Sequence, residues 1–555
     1  ADGFPTNPPD IRFKSVFDAL VQADELYENN FIGFRPPAAP KLSAVGTIVK
    51  DENDLPVVYG ENGKVTLYWD TESEDSYEIV TRNHDFEGYR IYKTQANLNG
   101  QGDPEWGTPI YDYSGEEIVG YKPLAIYDKI DEWSGSDPLN PFFDLGTNSG
   151  LKYTFVDNDV LNGVRYRYTI TAYDYPVIDD GQPSLESFKG NDPRLVQTID
   201  VIPGVTPQGY NPGSSDENIE HTEGIATGII SVETINPVEV TGDSYIIEFK
   251  GTTDSILFDI YNETKSEYVV QDFAKTWLES ESGIAQARPI FDGIGVKVIN
   301  HNNLEELSKG WTSVVNDTSN YSFSTFSQLT DTSGFAGDYA VVFGDSSLKY
   351  YQLPTSKKVP FQIFNLTKDP QLTTPLNLYM RNPGAAWASG DFIYLLEPDV
   401  DHRTWQFTID WQDGDVPPSA GDIYLYQTKK PFTENDKYKI ITNKYTTSES
   451  GFDFAKIKVV PNPYIGYNIA EQGVTQGDRA SRELRFTNLP PKCTIKIYTL
   501  RGDLIKTLHH QSDTVGEERW NLQNDAQLEV AYGIYIYSVE SPDGTKKIDK
   551  FAIIK

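Results

Sequence analysis

Two short acidic stretches are the first places where this chain could do chemistry. DWQDGD supplies Asp410, Asp413 and Asp415, and VDNDVLNG supplies Asp157 and Asp159. Clustered carboxylates are the ligands that a hard cation such as calcium takes. Neither stretch has the fixed steps and sixth-place glycine of an EF-hand loop, so calcium is a weak expectation and a polar turn between strands is the plainer one. No other cofactor is expected. The histidines, His84, His221, His301, His402, His509 and His510, show no H-E-x-x-H or similar spacing, which argues against a zinc site. His509 and His510 are adjacent and fall on opposite faces of a strand. Neither a G-x-S-x-G elbow nor a P-loop occurs. Carboxylates are so numerous that a glycosidase-like pair could be drawn anywhere, so no catalytic residue is nominated and the chain is read as a non-enzyme.

Trp106, Trp133, Phe142 and Phe143 lie in one aromatic-rich segment. Their faces could stack on apolar sugar faces as a ligand platform; the plainer reading is packing on their own domain or a neighbouring subunit. Arg501-Gly502-Asp503 mimics an integrin-binding tripeptide, but it falls where a turn between strands is expected.

The elements that must position these residues are mostly strands. The chain has 555 residues, enough for three or four domains at roughly 100–200 residues each. With 35 Tyr and 27 Phe it is rich in strand-forming aromatics, and 43 Gly and 34 Pro supply turns. The net charge of −35 argues against nucleic acid and anionic lipid as partners and suits a soluble external protein or one that collects cations. Cys493 is the single cysteine, so no disulfide within the chain and no cysteine metal site is expected. No run of about 18 apolar residues is present, so no membrane span is expected. No basic, apolar leader precedes Ala1; the expectation is a chain already processed there or one not led out in that way.

The first 35 residues read as an extended, Pro-rich arm followed by the one convincing helix. Phe13, Val16, Phe17, Leu20, Ala23 and Tyr27 recur at three- and four-residue steps, an apolar stripe of helical period. Such a helix packs on its own domain or docks on another subunit, and Phe13, Phe17, Leu20 and Tyr27 are the assembly candidates.

From residue 36 to about 206 the pattern is β. Val65, Leu67 and Trp69 alternate inward, FEGYRIYKT and KYTFVD read as further strands, and Asn162-Gly163 marks a turn. Pro40, Trp69, Tyr89, Ile91, Leu161, Tyr166 and Tyr168 carry a resemblance to a fibronectin type III domain, interrupted by the insertion at about 95–150. VQTIDVIPGVTPQGYNPG, residues 196–213, leaves this domain as a stiff seam. Residues 207–450 read as one large antiparallel sandwich or two smaller ones. Four segments there start with Gly-Asp, at Gly242, Gly337, Gly390 and Gly421, and each predicts a turn followed by a strand. EELSKGW, near Leu307, is expected to be a helical turn.

Residues 451–555 open on IKVVPNPYIGYN. Prolines lack the N–H that a ladder needs, so Pro461 and Pro463 are expected to stop the preceding module from fusing its sheet with the last one. Pro461, Asn462, Pro463 and Tyr464, the turn at Leu500 and Gly502, the lone Trp520, the strand with Gly533 and Tyr535, and a basic-hydrophobic tail ending at Lys555 follow in a specific order. This segment resembles the immunoglobulin-like C-terminal sorting domain of type IX secretion substrates. The resemblance implies export across an outer membrane and recognition by the type IX machinery, with the domain usually removed or exchanged for an anchor. Here the segment runs to Lys555, and it is expected to serve as a structural part.

The expected fold class is mainly β: tandem antiparallel sandwiches, fibronectin III-like and immunoglobulin-like, with one N-terminal helix. The expected function is a secreted structural protein, a self-assembling subunit of an extracellular or cell-surface filament or layer, with itself as partner through the arm and sandwich edges. The alternatives are a cell-surface adhesin or carbohydrate-binding protein, with cell-surface glycans as partner, and, with less support, a secreted hydrolase.

Overall fold

Runs in which apolar and polar residues alternate, punctuated by Gly, Pro and Asn-Gly, commit this chain to strands. The computed structural model describes residues 33–554 apart from 52, 96–104, 216–218, 253–254, 275, 279–286, 302–305, 314–318, 329–336, 345–348, 351–356, 382–386, 399–402 and 467–481. The described residues are mainly strand, arranged in largely antiparallel sheets around four large hydrophobic cores. The predicted helix carrying Phe13, Phe17, Leu20 and Tyr27 lies outside them, as does Lys555. Among the described residues no helix is long and apolar enough to cross a membrane.

The first core lies between a three-stranded and a six-stranded sheet. Leu42–Ala44, Val65–Trp69 and Thr154–Asp157 make the smaller one; Phe86–Gln95, Tyr166–Asp174 and Thr198–Pro203 are central to the larger. The alternation read from the sequence is visible in burial: Val65, Leu67 and Trp69 face Tyr89, Ile91 and Tyr168, and the Trp69 ring meets Tyr89 edge-on at 5.8 Å. Leu161 is exposed. The insertion contributes Ala125–Asp128 to the edge of the six-stranded sheet and a separate hairpin, Pro109–Tyr111 with Ile118–Tyr121.

Residues from Ser214 to Thr447 hold two cores, one nested in the other. Ser244–Thr252, Ser255–Asn262, Ile294–Asn300 and Lys437–Asn443 surround the outer core, so its strands come from both ends of the stretch. Between them, two four-stranded sheets enclose a second core rich in aromatics, including Phe361, Trp405, Phe407 and Tyr426. Phe432 N donates to Asn300 Oδ1 at 3.0 Å, which holds the outgoing and returning chain together at the junction. All four Gly-Asp turns precede strands, which begin at Ser244, Tyr339, Phe392 and Ile423. Their aspartates satisfy turn or neighbouring donors: Asp391 accepts Ala388 N at 2.9 Å and Asp422 accepts Ser419 N at 2.7 Å. The segment at Leu307 is not a helical turn. It is the strand Glu306–Ser313, paired with Ile423–Thr428, because a partner strand supplies the ladder bonds that a lone turn would lack.

The last core lies between Lys458–Val460, Leu484–Thr487 and Glu517–Trp520 on one side and a five-stranded sheet on the other. Lys458–Val460 belongs to the smaller sheet, whereas Tyr464–Ile465 pairs in parallel with Ile553 and Ile554 in the larger. Pro461-Asn462-Pro463 thus carries the chain from one sheet to the other inside a single domain, and does not stand between two domains as expected. The reason is that Ile457 and Val459, before the prolines, already face the terminal core. The prolines still interrupt a ladder, and both X–Pro bonds are cis. Asn462 partly replaces the missing bonds: its side chain accepts Ala552 N at 3.2 Å and donates to Lys550 O at 3.5 Å.

Candidate functional site

The motif residues noted in 451–555 fall in one domain, some in its core and some on its turns. Tyr464 is fully buried, Trp520 donates Nε1–H to Gln523 O at 2.8 Å, and Tyr535 stacks on Phe551 at 5.6 Å. Leu500 and Gly502 lie on the exposed hairpin turn that also holds Arg501 and Asp503, where Gly502 takes φ 93°. Gly533 opens the strand Gly533–Glu540. Burial pushes the Cys493 thiol up to about 12, with the Glu518 charge adding to the effect, so it stays protonated at neutral pH. His510 is buried against Glu518 at 3.1 Å while His509 is exposed, the opposite-face arrangement expected of neighbours on a strand.

The outer face of the smaller terminal sheet is not free. Arg485 and Arg519 stand directly opposite each other across two strands, a juxtaposition that costs free energy unless both charges are matched. Arg485 Nη1 pairs with Glu517 at 2.9 Å with both side chains buried, and Nη2 donates to the carbonyl of Asn162, in the first domain, at 2.7 Å. Arg519 pairs with Glu483 at 3.4 Å and lies over the Tyr59 ring, 5.3 Å from its centroid. The seam after Pro203 is clamped as well. Gly516 N donates to Val205 O at 2.7 Å, Val205 N to Glu517 at 3.3 Å, and Gln208 N to Leu489 O at 3.0 Å. The Gln208 side chain accepts Asp453 N at 2.7 Å and donates to Asn488 O at 2.6 Å. The seam also pairs with the chain that returns from the middle region: Tyr210–Asn211 pairs with Thr446–Thr447. The sequence marks Asn162-Gly163 as a turn and gives no sign of its contact with Arg485. Only cross-strand register places Arg485 opposite Arg519 and reveals two arginines in need of partners.

The other sequence-predicted residues are scattered. Asp157 accepts the Tyr168 hydroxyl at 2.7 Å and Asp159 N at 2.9 Å, and pairs with Lys93 at 2.8 Å. Asp410 accepts Thr408 Oγ1 at 3.0 Å and also the Ser324 hydroxyl. Asp415 accepts Gln412 N at 2.7 Å and Asn320 Nδ2 at 2.8 Å, while Asp413 is exposed on the turn. Among the described residues no group of three or more His, Cys, Asp or Glu is placed to hold a metal ion. Trp106 is buried. Trp133 stacks on Tyr175 at 5.8 Å, Phe142 packs on Tyr113 at 4.6 Å, and Phe143 lies under the Arg90 guanidinium at 3.5 Å. Trp133, Phe142 and Phe143 are thus engaged in separate contacts.

No family model matches the chain, and no curated protein matches it. Solved structures similar to it include PorZ, a bacterial surface component of the type IX secretion system of Porphyromonas gingivalis (13% identity, 94% of this chain, 59% of that chain, TM-score 0.16). Dimeric latent PorU from the same organism is another (12% identity, 93% of this chain, 34% of that chain, TM-score 0.14). The adhesin domain of Epf from Streptococcus pyogenes is a third (11% identity, 60% of this chain, 97% of that chain, TM-score 0.14). The chain spans 59% and 34% of the length of the first two. TM-scores of this size establish no shared overall arrangement.

Proposed function

We propose that the chain is a secreted, non-enzymatic structural protein, a subunit of a self-assembling extracellular or cell-surface filament or layer, exported by a type IX-like route. In this reading the first domain is a fibronectin III-like sandwich and the last an immunoglobulin-like sorting-type domain kept as a structural part. One observation carries it: the terminal domain is fastened to the first domain through Arg485 and Asn162 and to the seam through Gln208. A tag destined for removal needs only a tether; a load-bearing part needs a fixed orientation. The test is sedimentation of the purified full chain over a wide concentration range, with negative-stain microscopy of the same samples. Ordered assemblies are expected, and deletion of residues 1–30 is expected to leave folded monomers. A wild-type protein that remains monomeric at every concentration overturns the proposal.

A further inference from the structure

Among the described residues, the contacts between body and terminal domain lie on one side of that domain. The outer face of its five-stranded sheet, on the opposite side, presents Ile465, Ile534, Ile548 and Ile554 exposed, with Ile548 at 66%. Lysines share that face: Lys496 and Ile548 both pair with Ser538, and Lys550 pairs with Ile536. An exposed, contiguous apolar surface on a folded protein marks an interaction site.

Charge says what covers it. Residues 451–555 contain fourteen Lys and Arg against thirteen Asp and Glu, whereas residues 1–450 contain 33 against 69. The chain's large negative charge therefore belongs to everything except the terminal domain, and a basic, apolar sheet at one end of so acidic a molecule is the complement of its own body. One part of that body matches it in apolar character too. The hairpin Pro109–Tyr111 with Ile118–Tyr121 exposes Tyr111, Tyr113, Ile118 and Val119, with Tyr113 at 78%. Glu116 and Glu117 are exposed at its turn.

We propose that the five-stranded face of the terminal domain docks on the 109–121 hairpin of a second copy of this chain. Both surfaces are exposed in the same molecule, so they do not cover each other within one chain. The contact joins two different surfaces, so each subunit keeps one of each to offer, and growth continues head to tail as an open fibre or a ring. Paired charges around an apolar centre set register and speed encounter, and they weaken as salt rises. The proposal rests on the self-assembly reading above and names its contact.

The experiment uses the full chain and two double reversals, Lys496→Glu with Lys550→Glu, and Glu116→Lys with Glu117→Lys, plus the quadruple variant that carries both. Sedimentation velocity at low and high salt reads association, and circular dichroism checks that each variant is folded. Each double reversal is expected to weaken association by about tenfold or more, and the quadruple variant to restore most of it. Tyr113→Ala, which leaves every charge in place, is expected to weaken association at both salt concentrations. If the wild type assembles and the folded reversals assemble equally well, or the quadruple variant fails to recover, this contact is overturned while self-assembly stands. If the wild type never assembles, both readings fall.

Discussion

The Arg485 guanidinium lies so close to Gly163 that a Cβ on that glycine would fall 1.7 Å from Arg485 Cζ, and Gly163 itself holds φ 83°. A turn in the first domain is thus shaped around a side chain from the last, with Arg485 323 positions along the chain from Asn162, whose carbonyl it binds. The glycine serves the turn and also the docking of another domain.

Replacing Arg485 by Ala leaves Glu517 buried without its cation. Removing one partner of a buried ion pair costs about 3–5 kcal/mol. The expected outcome is a terminal domain that remains folded but detached, seen by calorimetry as a separate, earlier transition and by limited proteolysis as cleavage within the chain at 204–209 or 448–456. Gly163→Val is expected to detach it without removing a charge. One cooperative transition in both variants would refute the docking role.

Asn462→Ala removes the two side-chain bonds to the terminal strand, each worth about 1 kcal/mol. A modest fall in the stability of the terminal domain is expected, and hydrogen exchange should report faster exchange at Ala552. Trp520→Ala, which empties part of the core itself, should cost about 3–5 kcal/mol. A smaller loss for Trp520 than for Asn462 would invert this ranking.

Burial, with the neighbouring Asp131 charge adding to it, pushes Glu87 up to about 9, and burial pushes Asp174 up to about 8 with Asp85 as a like-charged neighbour. Both folded values lie above the unfolded ones, so the folded state holds more protons between them. The contribution of these groups to stability is complete below the unfolded carboxyl range and is lost as pH rises through about 8 and 9. The first domain is expected to melt higher at mildly acidic than at alkaline pH, and Glu87→Gln to flatten that slope. A melt that rises steadily from neutral to alkaline pH would contradict the assignment.

The carboxylates of Asp157, Asp410 and Asp415 accept hydrogen bonds from the protein's own donors. Chelator is expected to leave the melting temperature unchanged. A fall of several degrees that calcium reverses would place a cation at one of these turns.

Periodicity made the individual strands legible. Inward alternation at Val65, Leu67 and Trp69 and the Gly-Asp turns at Gly242 and Gly390 are local features, decided by neighbours in the chain. What joins strands into sheets is non-local. Nothing near Pro461 says that its two flanking strands belong to different sheets of one domain, because their partners, Arg485 and Ile553, lie further along the chain. The segment at Leu307 misled for the same reason: Glu and Lys favour helix in isolation, and the ladder to Ile423–Thr428 overrides that preference. At the docking site Gly163 was legible as a turn, while its contact with Arg485 depended on register.

The nested arrangement of the two middle cores also decides where tension goes. Chain enters and leaves the inner domain at points held together by Phe432 and Asn300. A pull applied to the two ends of the molecule is transmitted past that junction without passing through the inner sheets. The inner domain is mechanically off the line of force, so it can vary, bind or even unfold without lengthening the path through the outer core.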